Sequence, residues 1–466
     1  MLTIHDSSAG HSRRQMLSAG SLALGGLSLS SLMAARGSET RGGTSLVTGK
    51  SVIFLFQQGG PSQFETFDPK PQASSDIRTV TGVTQTSVPG LFFGDTLQQL
   101  AERAHKLTVV RSFQTNNAGH NIKPLVGPES LNAYLGSLYA RVAGPTHPTT
   151  SMPSSAVLFP QAVNSKVTKG SGRGDLAATG GLGAAYAPFI PGGAGDLLKN
   201  LKLNMPPTRF EDRQLLRSQL DLLGKRLETE AAIESFDKNQ QQACEVLLSG
   251  SVAEALDLSR EEKSIVDRYD TSRYAAKDDW RKANRGQRGY YSGHAKSLGK
   301  SLLLARRLCE AGCGFVTVHS DYEGVWDMHA DGNNLNMRDG MEAVGRSFDH
   351  AVAAFIDDVE QRGLSEKILL ICCGEMGRTP RINRNGGRDH WAKLSPLMVY
   401  GGGIAEGKTI GQSSRDGGEP ATDPQTIENL ISTILHVTCD PAQLRLFPGL
   451  QAISRLAEPA PIAGLI

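Results

Sequence analysis

Four short apolar runs, each of strand length and each breaking into a polar loop, constrain the fold of this chain more than any other feature. They are Ser51-Val-Ile-Phe-Leu-Phe56, Leu107-Thr-Val-Val110, Phe315-Val-Thr-Val-His319 and Ile368-Leu-Leu-Ile-Cys-Cys373. Continuous apolar runs of about four to eight residues, bounded by turn signals, suit strands buried on both faces. Between them lie stretches with helical spacing: Leu97 to Lys106, Lys296 to Glu310, Gly340 to Arg362 closed by Gly363, and Pro424 to Val437. That alternation predicts an α/β fold, a mainly parallel sheet flanked by helices on both faces. Leu397 to Tyr400 adds a strand. Residues 125–209, dense in Gly, Pro, Ser and Thr, are expected to be irregular. Phe210 to Glu230 is strongly amphipathic and belongs to a mainly helical insertion at about 205–290.

Parallel strands bring their following loops to one edge, where open α/β sheets bind ligands. The residues gathered there carry chemistry. Glu65 and Asp68 follow the first run, His120 the second, Asp327 and His329 the third, and Glu375, Asp389 and His390 the fourth. Carboxylates and imidazoles are hard or borderline ligands, and such a set can hold one or two divalent metals: zinc, manganese or calcium. Two ions would clamp an in-line displacement at phosphorus or sulfur. Arg378 and Arg388, in the same loop as Glu375, suit an anionic substrate, small or polysaccharide. Asp327-x-His329 has a spacing that lets both side chains lean one way. Asp389 and His390 are adjacent and need an irregular backbone to share one site.

The N-terminus reads as a targeting segment. Ser12-Arg13-Arg14-Gln15-Met16-Leu17 sets a twin arginine before an uncharged stretch that ends at Ala35. We read residues 1–36 as a twin-arginine export signal, 37–50 as a flexible leader and 51–466 as the mature domain, periplasmic or extracellular. The Ser and Gly content of the uncharged stretch makes it a weak membrane span, and no stable span is expected in the mature chain. A net charge of +2, with both signs spread along the sequence, argues against wholesale nucleic-acid binding. The six cysteines show no disulfide spacing, and Cys372 and Cys373 are expected buried and reduced.

Several motifs together resemble the DUF1501 family of exported proteins, which sits in the alkaline phosphatase/sulfatase clan. They are the Arg-Arg leader, Gly59-Gly60-Pro61-Ser62 running into Thr66-Phe67-Asp68-Pro69-Lys70-Pro71, and Val110-Arg111-Ser112. Further on come Trp326-Asp327-x-His329, Gly374-Glu375-x-Gly377-Arg378-Thr379-Pro380 and Gly387-Arg388-Asp389-His390-Trp391. The resemblance spans nearly the whole chain. It implies an alkaline phosphatase-like fold and a metal-dependent hydrolase of phosphate or sulfate esters. Clan hydrolases carry Asp-His-Gly where this chain has Glu375-Met376-Gly377; Glu375 can serve as ligand or base, whereas Met376 cannot replace an imidazole. His390 matches a later metal-binding His, and Asp327 and His329 resemble the pair before it. The metal-binding Asp of the first strand is replaced by Gln57-Gln58-Gly59, so that ligand is either missing or displaced to Glu65 or Asp68. The Cys-x-Pro-Ser-Arg nucleophile motif of sulfatases is absent, so a formylglycine mechanism is not implied. Thr115 or His120 stands roughly in its place. The alternative is a noncatalytic clan member that binds anionic polysaccharide or a cell-surface partner through a degenerate site.

Overall fold

The computed structural model of the chain describes residues 45–167, 170, 173–191, 250–275, 285–320 and 322–466. The four apolar runs are strands, and three further strands join them. In chain order they are β1 (Ser51–Phe56), β2 (Leu107–Val110), β3 (Ser155–Leu158), β4 (Phe315–His319), β5 (Ile368–Cys373), β6 (Leu397–Gly401) and β7 (Thr409–Ile410). The sheet order is β7-β2-β6-β5-β1-β4-β3. All neighbours are parallel except β6, which runs antiparallel to both β5 and β2. β6 reverses because the loop that leaves β5 stays at the same edge, with no crossover helix to carry the chain back.

Alternate strand residues feed two cores. Ile53, Leu55, Val316, Val318, Leu370 and Cys372 pack on one face, beneath α2 (Arg285–Glu310) and α3 (Met337–Gln361). Val52, Phe54, Phe56, Phe315, Leu369 and Ile371 pack on the other, beneath α1 (Leu135–Ala143) and α4 (Ile427–Thr438). Each such side chain contributes about 1.5–3 kcal/mol by leaving water. The helix α3 begins where Asn336 accepts from the Asp339 N–H at 2.9 Å. It ends as expected at Gly363, whose φ of +65° closes the C-terminus.

Two expectations change. Residues 125–209 are not irregular throughout, since they contain α1 and β3. Of the insertion at about 205–290, residues 250–275 hold the short helices Ser251–Leu256 and Lys263–Arg268, and α2 begins at Arg285. The rest of it, including Phe210 to Glu230, lies outside the described residues, as do the signal at 1–36 and most of the 37–50 leader. No helix among the described residues is long and apolar enough to cross a membrane.

Candidate metal centre

The register brings four strand ends to one edge. Phe56 lies opposite His319 on one side and Cys373 on the other, and Leu397 lies opposite both Cys373 and Val110. The loops after β1 and β5 interlock there. Gly60 has a φ of +84°, and a Cβ on it would lie 2.6 Å from Met376 Cγ. A Cβ on Gly374 would meet the Gln57 carbonyl oxygen at 2.8 Å. Both positions therefore require glycine. Between them, Glu375 is fully buried and accepts the Gly59 N–H at 2.8 Å.

Asp327 is the hub. Its Oδ2 lies 3.1 Å from His120 Nε2 and 3.1 Å from His329 Nε2. Its Oδ1 lies 3.1 Å from His390 Nε2 and accepts Arg378 Nη2 at 2.7 Å. Asn334 Nδ2 stands 3.1 Å from Oδ2 and 2.9 Å from His329 Nε2. The far ring nitrogens of two histidines are also held. His120 Nδ1 is 3.1 Å from Glu375 Oε1, and His390 Nδ1 is 3.0 Å from the Ala118 carbonyl oxygen. Asn117 shapes the loop that carries His120, donating to the Glu375 carbonyl at 3.1 Å and to Asn121 Oδ1 at 3.0 Å. The cluster opens to solvent through His329 and His390, whose side chains are 24% and 27% exposed, against 8% for His120 and 6% for Asp327.

The electrostatics follow from this packing. For Asp327 the largest single effect is burial, which opposes charge. The hydrogen bonds from His120, His329 and His390 outweigh it and hold the carboxyl far below its ordinary range. Burial also opposes charge on His120, but the hydrogen bonds to Asp327 and Glu375 lift its pKa to about 9. The hydrogen bond to Asp327 raises His329 as well. Glu375 is raised by burial, with His120 and the Gly59 N–H acting against the shift.

These residues fit a divalent ion. Ligand atoms of His120, Asp327 and His390 all lie within 4.8 Å of one another. Bonds of about 2.0–2.1 Å in a tetrahedral set place ligand atoms about 3.3 Å apart, close to the nitrogen-to-oxygen spacings found here. Metal-binding imidazoles almost always give their other N–H to a carboxylate or a backbone carbonyl, as Glu375 and Ala118 allow. A mixed nitrogen and oxygen set suits zinc or manganese better than calcium, which prefers oxygen alone.

The other residues singled out in the sequence fall elsewhere. Glu375 stands behind His120, not at the shared point. Asp389 is exposed and accepts from Asn383 Nδ2 at 3.0 Å. It precedes the two-residue strand His390–Trp391, where neighbouring side chains point to opposite sides. Asp68 is tied to Ser413 Oγ and to Lys70 Nζ at 3.2 Å. Glu65 pairs with Arg388 at 3.1 Å, and neither side chain is exposed at all. Arg378 is equally buried, with its donors on Asp327 and on the carbonyls of Gly59, Gly60, Trp326 and Arg388. Neither arginine is presented to a substrate. Thr115 is buried, and its Oγ1 is out of solvent with no hydrogen-bond partner among the described residues. Asn334 and Asn117 escaped the sequence reading; the only signals were the Asn333-Asn334 and Asn116-Asn117 pairs beside Asp327 and His120.

Among solved structures, the chain resembles the PsFucS1 sulfatase from Pseudoalteromonas sp. at 10% identity and a TM-score of 0.29, covering 88% of this chain and 70% of that one. It resembles the alkaline phosphatase from the Antarctic bacterium TAB5 at 14% identity and a TM-score of 0.27, covering 83% and 98%. The phosphonate monoester hydrolase SpPMH from Silicibacter pomeroyi follows at 9% identity and a TM-score of 0.25, covering 84% and 73%. Likenesses this distant carry no argument about activity. No curated protein matches the chain. Residues 49–458 match the model of the protein of unknown function (DUF1501) family, and the chain belongs to that family.

Proposed function

We propose that this chain is an exported, metal-dependent hydrolase of phosphate or sulfate esters, acting in the periplasm or outside the cell. One observation carries the reading. The Nε2 atoms of His120 and His390 converge on Asp327 while each Nδ1 is tied down behind. That arrangement fixes which nitrogen faces the shared point. Asp327, His120 and His390, with His329 beside them, would hold one divalent ion. Such an ion supplies Lewis acidity toward an ester oxygen and activates water near neutral pH. Glu375 orients His120. Asp327 carries the negative charge that balances the site. With Thr115 closed off and His120 taken up as a ligand, water activated at the site would be the attacking group. The export route rests on Arg13-Arg14 and the uncharged stretch that follows.

A noncatalytic, degenerate member that binds anionic polysaccharide or a cell-surface partner has one observation in its favour. Arg378 and Arg388, the cations expected to hold an anion, are both spent on buried carboxylates. The deciding experiment is metal analysis by inductively coupled plasma mass spectrometry on the mature chain, with His390→Ala beside it. Stoichiometric metal in the wild type that is lost in the variant, followed by turnover of a phosphate or sulfate ester, supports the hydrolase. Absence of metal after soaking with zinc and manganese rejects it.

A further inference from the structure

An anionic substrate needs a cationic surface, and the two arginines at the cluster do not provide one. A different surface on the same edge does. Ile410 and Val110 lie opposite each other at the ends of β7 and β2. The residues just beyond them line two adjoining cavities of about 480 Å³ and 350 Å³. Both cavities are lined by Lys70, Gly90 and Arg111, so they form one groove, and Arg415 closes its second half. Three cations face one carboxylate, Asp68, among the lining residues.

That carboxylate does not saturate them. Asp68 lies 3.2 Å from Lys70 Nζ, but its contact with Arg111 Nη1 is 3.6 Å, too long for a hydrogen bond. Arg111 is fixed instead from behind, through Nε and Nη2 on the Phe67 carbonyl at 3.1 and 2.6 Å. Arg415 is exposed and has no ion pair among the described residues. Asp416 beside it accepts from Ser414 Oγ and the Gly418 N–H, and these bonds, with a smaller contribution from the Lys70 charge, lower its pKa. Lys70 holds a backbone φ of +48°, a region side-chain-bearing residues seldom occupy and which clusters at ligand-binding positions. The groove is thus a preset row of positive charge with one rigid guanidinium at its middle.

We infer that this groove binds a sulfated or phosphorylated polysaccharide, holding charged groups along the chain while the metal cluster faces one ester. The inference rests on the hydrolase reading only for the ester. Three cations spread over two adjoining cavities suit a ligand with several charges better than a single free anion. Its lining carries one aromatic ring, Phe92, and so lacks the stacking platform that single-stranded nucleic acid requires.

The test is binding of dextran sulfate, with neutral dextran as control, by calorimetry on the full mature chain. Wild type is expected to bind dextran sulfate, to ignore dextran, and to weaken as salt rises. Arg415→Glu combined with Lys70→Gln should lose at least about tenfold in affinity, roughly one lost charge contact per site. Lys70→Arg should retain binding, which separates lost charge from a misfolded loop. Binding should persist in His390→Ala, so a failed metal site leaves this result standing. No binding by wild type, or full binding by the double variant, overturns the proposal. Equal binding of inorganic sulfate or of a single-stranded oligonucleotide at the same residues overturns the polysaccharide assignment.

Discussion

Replacing Glu375 by glutamine tests the logic of the metal centre at its most specific point. Glu375 has no solvent exposure, and its Oε1 is 3.1 Å from His120 Nδ1 and 2.8 Å from the Gly59 nitrogen. A glutamine keeps one oxygen for both donors but removes the charge, and hydrogen bonds to a charged acceptor are about twice as strong as neutral ones. Changes to the groups that orient metal-binding histidines cost about 10–100-fold in metal affinity. Glu375→Gln should therefore fall near the low end, about tenfold or about 1.4 kcal/mol. Glu375→Ala, which leaves His120 Nδ1 and the Gly59 N–H without an acceptor, should approach the high end. The assay is a competition titration of zinc against a chromophoric chelator at neutral pH. Thermal unfolding of the metal-free proteins would confirm that each variant folds. Wild-type affinity in Glu375→Gln would refute the claim that Glu375 sets the orientation of His120. Wild-type affinity in His120→Ala as well would remove His120 from the ligand set.

The placements of the remaining residues give further expectations. Asp327→Asn should abolish metal binding, whereas Asp389→Ala should leave stoichiometry unchanged by mass spectrometry; the reverse pattern would overturn the assignment of the hub. Arg388→Met leaves Glu65 buried and unpaired, and breaking such a pair costs about 3–5 kcal/mol. Urea unfolding should show that loss, with partial recovery in Glu65→Gln/Arg388→Met. Burial lowers the pKa of His294 to about 4, so it is neutral in the folded protein. Its unfolded form takes up a proton near pH 6.5, so its contribution to stability is complete above that pH and is lost as pH falls toward about 4. The loss is on the order of 3 kcal/mol, and His294→Phe should flatten this acid limb in pH-dependent unfolding. His294 Nε2 and Gln57 Nε2 are buried without hydrogen-bond partners among the described residues, and both side chains line a cavity of about 10 Å³. That is about the space one water needs, and a high-resolution crystal structure should show one bridging the two.

The main framework was legible because its strands are buried on both faces and therefore read as unbroken apolar runs. β3 did not read that way. Ser155–Leu158 is four residues long, and Pro153 and Pro160 flank it closely. The helix α1 did leave a signal, since Leu135, Leu138, Tyr139 and Val142 follow helical spacing, but the surrounding glycines and prolines masked it. The collection of Asp327, His120, His329 and His390 at one edge follows from the shared direction of β2, β4 and β5, whose following loops carry them. The roles of the arginines did not, because a sequence gives a charge without its counterpart. Arg388 meets Glu65 across 323 positions and Arg378 meets Asp327 across 51. Only the folded register sets these carboxylates opposite those guanidinium groups.

Arg378 decides how the two functional readings are to be weighed. Convergence of the carboxylate and imidazoles favours a working centre, and pairing of Asp327 with an arginine favours a degenerate one. Both occur here, at different oxygens. Arg378 takes Oδ1 with His390, while Oδ2 faces His120 and His329. An ionised carboxylate has about four lone-pair sites, so the arginine leaves room for an ion. The backbone carbonyls that pin Arg378 also prevent it from following a substrate anion. It therefore acts on the carboxylate, either orienting it or competing for it, and the two have opposite signs. If Arg378 orients Asp327, Arg378→Gln weakens zinc binding, because a ligand freed to rotate binds less well. If it competes, the same change strengthens binding by removing a positive charge beside the ion. Arg378→Lys, which keeps the charge but not the fixed fork of donors, separates the two. Orientation requires the lysine variant to lose affinity as well, and wild-type affinity there with gain in Arg378→Gln would mark Asp327 as belonging first to an ion pair.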